Sequence, residues 1–159
     1  MSEAVHAARV RVPATSANLG GGFDCIGIAV DRWLTASVEG ARDSGSGGEA
    51  ITISRGGTLA SLSVAPGDDA LYTGFAAACA AVGRAVPERL AFFADSEIPV
   101  ARGLGASSAA LVAGARLANA ALSLGLDVPA LAELCTRMEG HPDNDAPALF
   151  GGAILAVPG

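Results

Sequence analysis

Hydrophobic and polar positions alternate at the start of the chain. Val10 and Val12 alternate with Arg9 and Arg11, so residues 7–13 predict a strand with one polar face. Residues 26–38, rich in Ile, Val, Trp and Thr, predict a second strand antiparallel to the first. Residues 40–49 hold Gly, Ser and charged side chains and predict a solvated loop. Residues 51–54 alternate as a short strand, and 59–64 are a further strand candidate. Asp68 and Asp69 precede the apolar run 70–82, an ordinary helix start, and Gly83 closes it. Residues 90–98 predict a strand, followed by an apolar, Ala-rich helix that runs to about Leu124. Asp127 caps another helix with Pro129 near its first turn and Leu131, Leu134, Cys135 and Met138 at helical spacing. A last apolar strand spans 150–157.

Composition narrows the class. A chain of 159 residues suits one domain, and 51% hydrophobic content supplies a core. Much of that content is Ala, which with the many glycines predicts close packing between helices and sheet. Uninterrupted apolar runs are too short for a membrane span, and no basic stretch leads into an apolar one at the start, so neither a span nor a signal peptide is expected. Cys25, Cys79 and Cys135 are odd in number and widely spaced, which fits buried free thiols in a reducing cytoplasm better than disulfides or a zinc site. The net charge of −6 argues against nucleic acid as a partner.

The strongest chemical signal is the loop Pro99-Val100-Ala101-Arg102-Gly103-Leu104-Gly105-Ala106-Ser107-Ser108, set between a strand and a helix. Its glycines allow a tight turn and close approach to a ligand, and the unpaired N–H groups of a helix start attract anions, most often phosphate. A plain Gly-rich turn with Ser caps is the alternative. It is not a dinucleotide fingerprint, because Ser108 stands where the third Gly belongs. It is not a Walker A loop either, because all ten basic residues are arginines. The missing lysine also excludes Schiff-base and pyridoxal-phosphate chemistry on a Lys amine.

Two further loops carry polar side chains. Asn18-Leu19-Gly20-Gly21-Gly22-Phe23-Asp24 joins three glycines to an Asn and an Asp, which read either as an Asx-capped turn or as groups for an ammonium. His141-Pro142-Asp143-Asn144-Asp145-Ala146-Pro147 gathers four polar side chains between two prolines, which read as a turn or as part of a site. Glu133 and Arg137 stand at i and i+4, the spacing of a surface ion pair.

Together these loops resemble the GHMP small-molecule kinases, and among them the homoserine kinase branch. Residues 13–24 are similar to the family's first motif, 99–109 to its phosphate loop, and 141–152 to the block before its central strand. Gly21 stands where the family usually has Pro, Ala106 where it has Ser, and Asp145 where it has Val. The resemblance implies an α+β fold like ribosomal protein S5 domain 2, a mixed, largely antiparallel sheet with helices on one face. It implies that residues 1–159 are the N-terminal domain of proteins roughly twice as long, with the C-terminal domain absent. It implies ATP-dependent phosphorylation of the L-homoserine hydroxyl in the cytoplasm, in threonine biosynthesis. Residues 99–108 would bind ATP, Ser107 and Glu133 would hold Mg²⁺, and Asn18, Asp24 and His141 would bind homoserine. His141, Asp143 and Asn144 would form the catalytic pocket. The other readings are a kinase for another small alcohol such as mevalonate, and a non-catalytic half that binds nucleotide. A face uncovered by the absent domain would favour a homodimer or another partner.

Overall fold

Alternation becomes a sheet whose one face is dry. In the computed structural model, which describes residues 5–17, 19, 25–41 and 50–155, β1 (Ala8–Ala17) pairs antiparallel with β2 (Ile26–Gly40). The lower half of β2 pairs antiparallel with β4 (Leu90–Ser96), and its first residues pair with β5 (Ala153–Leu155) on the same edge. β3 (Ile51–Gly57) lies parallel to β4, giving the order β1-β2-β4-β3 with β1 and β3 at the edges. Val12, Leu34, Ala36, Val38, Leu90, Phe92 and Ala94 project to the helix side and are buried. Arg9, Arg11, Glu39, Phe93 and Asp95 project the other way, where the Arg11 guanidinium stacks on Trp33 at 4.0 Å.

The helices cover the dry face. α1 (Ala70–Ala81) and α2 (Ala106–Leu122) cross so closely that a Cβ on Gly74 would lie 2.1 Å from Leu111 O, and one on Gly114 would lie 1.9 Å from Leu71 O. Small residues at both crossing positions are therefore obligatory, as the Ala- and Gly-rich composition predicts. Phe75 of α1 meets Phe92 edge-on, with ring centroids 5.3 Å apart, which ties the helix pair to β4. α3 (Val128–Glu139) packs Leu131, Leu134 and Cys135 inward. Asp127 caps it by accepting from Ala130 N–H at 2.9 Å. No helix among the described residues is long and apolar enough to cross a membrane. Cys79 and Cys135 are buried thiols, whereas Cys25, expected to be buried as well, is only half-buried.

Four local expectations differ from what is seen. β1 continues past Pro13 to Ala17, because Pro13 sits on an edge strand and a bulge follows it, leaving Asp31 and Arg32 of β2 unpaired. Residues 59–61 lie in a turn and 62–64 are irregular, so no strand forms there. Their apolar side chains, Leu59, Leu62 and Val64, line a cavity instead of a sheet. The polar block after His141 contains a six-residue helix, α4 (Asp145–Phe150). It ends at Gly151, so the strand after it is confined to Ala153–Leu155 among the described residues.

Candidate functional site

The Gly loop leaves β4 and enters α2 above the free edge of β1. Ala101 is held at φ 57° and Gly103 at φ 70°, so the backbone doubles back twice before the helix. Gly105, the N-cap residue, is also left-handed, at φ 62°, and no side chain caps the helix. The first N–H groups of α2 therefore remain available to an external anion. Pro99 to Ser107 all line one cavity of about 480 Å³, which is walled on its far side by Leu34, Leu59, Leu62, Val64 and Ala94. Arg55 and Asp69 supply a polar part of that wall. Arg55 donates to Asp69 Oδ2 at 2.5 Å and to Val64 O at 3.2 Å, while Asp69 Oδ1 caps α1.

Three segments meet beneath Gly105. Thr15, fully buried near the end of β1, donates its backbone N–H to Leu104 O at 3.2 Å. Its hydroxyl donates to Asn144 Oδ1 at 2.8 Å. The Asn144 amide faces Asp143 Oδ1 at 3.5 Å, and the same oxygen lies 2.7 Å from His141 Nδ1. A Cβ on Gly105 would fall 2.0 Å from the Thr15 hydroxyl, so only glycine fits there. His141 is half-exposed while the Asp143 side chain is wholly buried, with its Oδ2 lacking a partner.

A cluster of carboxylates lies against the first turn of α2. Ser108 is buried and donates to Glu139 Oε2 at 2.6 Å. Asp145 is buried, and neither of its oxygens is hydrogen-bonded among the described residues. Burial first, then the Glu139 carboxylate, push its pKa up from 3.8 to about 7; His141 pulls the other way, and Asp143 adds a smaller upward push. Burial, with Asp145 and Glu139 adding to it, pushes the Cys135 thiol up to about 12.

Sequence reasoning and structure agree on some positions and part on others. Pro99, Val100, Ala101, Arg102, Gly103, Leu104, Gly105, Ala106 and Ser107 share the cavity, and Ser107 is exposed there. Ser108 turns away from it to Glu139. His141, Asp143 and Asn144 are joined to one another and, through Thr15, to the loop. Glu133, expected beside Ser107 as a metal ligand, is instead a solvated side chain on the surface of α3, paired with Arg137 at 2.7 Å. The carboxylate that reaches α2 is Glu139. One signal marked it: an acidic residue in the last turn of a helix is electrostatically disfavoured and asks for a reason. Asn18 and Asp24 lie outside the described residues. Thr15 lies within the motif of residues 13–24, which gave it no role of its own; Asp69 stood out only at a helix start, and Arg55 not at all.

Comparison with known proteins matches this arrangement. The family model for the GHMP kinases N terminal domain covers residues 72–152. The chain is 41% identical over 150 residues to a homoserine kinase of Leuconostoc citreum, spanning 93% of this chain and 46% of that protein. It is 40% identical over 157 residues to a homoserine kinase of Deinococcus radiodurans, spanning 99% of this chain and 48% of the relative. The chain thus spans about half the length of the curated relatives it matches. The crystal structure of homoserine kinase from Cytophaga hutchinsonii superposes with TM-score 0.77 and 26% identity, over 98% of this chain and 50% of that one. The mevalonate kinase of Methanococcus jannaschii superposes with TM-score 0.71 at 13% identity, over 96% of this chain and 56% of that one, which speaks for the fold alone. That shared fold is the ribosomal protein S5 domain 2-like α+β arrangement.

Proposed function

We propose, since the chain belongs to the GHMP kinases and carries their N-terminal domain, that it is the nucleotide- and acceptor-binding part of a homoserine kinase. The reaction is transfer of the ATP γ-phosphoryl group to the side-chain hydroxyl of L-homoserine. A new bond forms between that oxygen and the γ-phosphorus, the bond to the β-bridging oxygen breaks, and ADP and O-phospho-L-homoserine leave. The observation that carries this reading is the meeting at Gly105 of the Gly loop, the end of β1 and the His141–Asn144 loop. An anion site and a polar pocket in contact are what a phosphoryl transfer between two small molecules requires.

The chain's own groups divide the work. The uncapped amides at the start of α2 and the loop backbone hold the phosphates. The apolar cavity takes the nucleoside, shielding the base from water between Leu59, Leu62 and Val64. Ser107 and Glu139 are the residues that would hold Mg²⁺. The fit rests on an all-oxygen donor set, on Ser107 facing the cavity, and on the bond from Ser108, the next residue of α2, to Glu139 Oε2. When bound, Mg²⁺ supplies charge neutralisation across the phosphates. His141, Asp143 and Asn144 orient the acceptor, with Asp24 and Asn18 taking its ammonium group. Phosphoryl transfer depends mainly on alignment and charge, so a strong base is not required.

The test is homoserine-dependent ADP release from Mg-ATP, with Ser107→Ala beside it and mevalonate as a second acceptor. Release that needs homoserine and falls in the variant is expected. Release with mevalonate and not homoserine would redirect the assignment to another small alcohol. A folded sample that binds Mg-ADP but releases none with either acceptor would favour a nucleotide-binding half without turnover.

A further inference from the structure

Thr15 occupies a position that its residue type alone does not explain. It lies on the outer edge of the sheet, where a strand N–H ordinarily faces water, yet it is fully buried and both of its donors are used. The backbone N–H holds Leu104 of the Gly loop, and the hydroxyl holds Asn144 from the opposite side. Gly105 packs directly onto this hydroxyl, and its built Cβ would also come within 3.2 Å of Asn144 Oδ1. The Thr15–Asn144 bond is thus the floor on which the last residue before α2 rests.

The bond also has a fixed polarity. A hydroxyl has a single proton to donate, and here Asn144 Oδ1 receives it. The Asn144 amide nitrogen is then turned toward Asp143 Oδ1, an acceptor, which also meets His141 Nδ1. A run of polar contacts therefore leads from the phosphate loop through Leu104, Thr15, Asn144 and Asp143 to His141. Removing the hydroxyl breaks it between the two loops.

We propose that Thr15 is a positioning residue that couples the two halves of the site, so that nucleotide at the Gly loop and the amino-acid acceptor at the His141–Asn144 loop favour each other's binding. The inference rests on the kinase reading above. Order imposed on one loop by its ligand fixes Gly105 or Asn144, and through the shared hydroxyl the other loop is set before its own ligand arrives. Coupling of this kind is reciprocal and is read as a ratio of dissociation constants.

The experiment measures the ADP dissociation constant by calorimetry in the presence of Mg²⁺, with and without saturating L-homoserine. It is done for the 159-residue chain and for Thr15→Val and Thr15→Ser. In the wild type, homoserine is expected to tighten ADP by about fivefold or more. Thr15→Ser should keep that ratio, and Thr15→Val should bring it to one while both ligands still bind. A residue that merely stabilised the fold would leave the ratio unchanged in any sample that remains folded. A wild-type ratio of one, or a full ratio in Thr15→Val, overturns the proposal while leaving the kinase reading in place. Absence of homoserine binding to the wild type overturns both. If Thr15→Val does not fold, Thr15→Ala, which removes the same hydroxyl without placing a second methyl in the buried site, carries the same expectation.

Discussion

Asp145 should make the fold weaken as pH rises through neutrality. Both of its carboxyl oxygens are buried without a hydrogen-bond partner among the described residues, and Glu139 and Asp143 lie close enough to oppose its ionisation. The folded chain holds the proton until about pH 7, whereas the ordinary value is 3.8. Below about pH 4 the group is protonated in both folded and unfolded chains and has no effect on the slope. Between the two values the unfolded chain has released the proton and the folded chain has not, so stability falls as pH rises, and the loss is complete above the folded value. At about 1.4 kcal/mol per pH unit the gap amounts to about 4 kcal/mol, an upper figure if the site relaxes or takes in water. That is a large share of the 5–15 kcal/mol that is typical for a domain. Asp145→Asn cannot titrate. Urea unfolding of wild type and variant at intervals from pH 4.5 to 8.5 should therefore show the variant gaining on the wild type by several kcal/mol across that range. Any pH-independent cost of the substitution, such as its own unpaired amide, cancels in the trend. A stability difference that stays flat with pH would refute the buried, carboxylate-opposed placement of Asp145.

Gly105→Ala should abolish measurable Mg-ADP binding in calorimetry and lower stability by about 2 kcal/mol or more, because its Cβ would lie 2.0 Å from the Thr15 hydroxyl at a left-handed φ of 62°. Unchanged ADP affinity would count against the loop as the phosphate site. Glu139→Gln should weaken the Mg²⁺ dependence of ADP binding at least tenfold by loss of a carboxylate ligand. Glu133→Gln should leave it unaltered and change stability by no more than about 0.5 kcal/mol, as befits an exposed i,i+4 pair; the reverse ranking would return the metal role to Glu133. Cys79 and Cys135 are both buried and both shifted upward, chiefly by burial. An aromatic disulfide reagent at pH 8 should therefore label Cys25 in the folded chain and reach the other two only on unfolding.

What the sequence disclosed and what it concealed separate along a physical line. Periodicity found β2, β4 and the three long helices because each is set by its own alternation, caps and glycines, and such signals are local. The last turn of β1 was hidden because residues 14–17 are small or polar, and their burial comes from loops far away in the chain. Residues 59–64 look like a strand because Leu59, Leu62 and Val64 are apolar, but those side chains serve a cavity, and hydropathy does not say which apolar surface will receive a residue. The same holds within the site. Gly103, Gly105, Ser107, His141 and Asp143 announce themselves by type and company. The resemblance implies Glu133 as a metal ligand, yet the two carboxylates of α3 end in different places, Glu133 in solvent on Arg137 and Glu139 against Ser108. Thr15 is the plainest case. Its contact with Asn144 spans 129 positions of sequence, and nothing local to a threonine at the end of a strand points across that distance. Residues that meet a ligand must have the right chemistry, so type reveals them. Residues that hold those groups in place need only the right neighbours, and the neighbours exist only once the chain has folded. The groups most open to misassignment in such a site are therefore the ones whose function is to be touched by another side chain rather than by substrate.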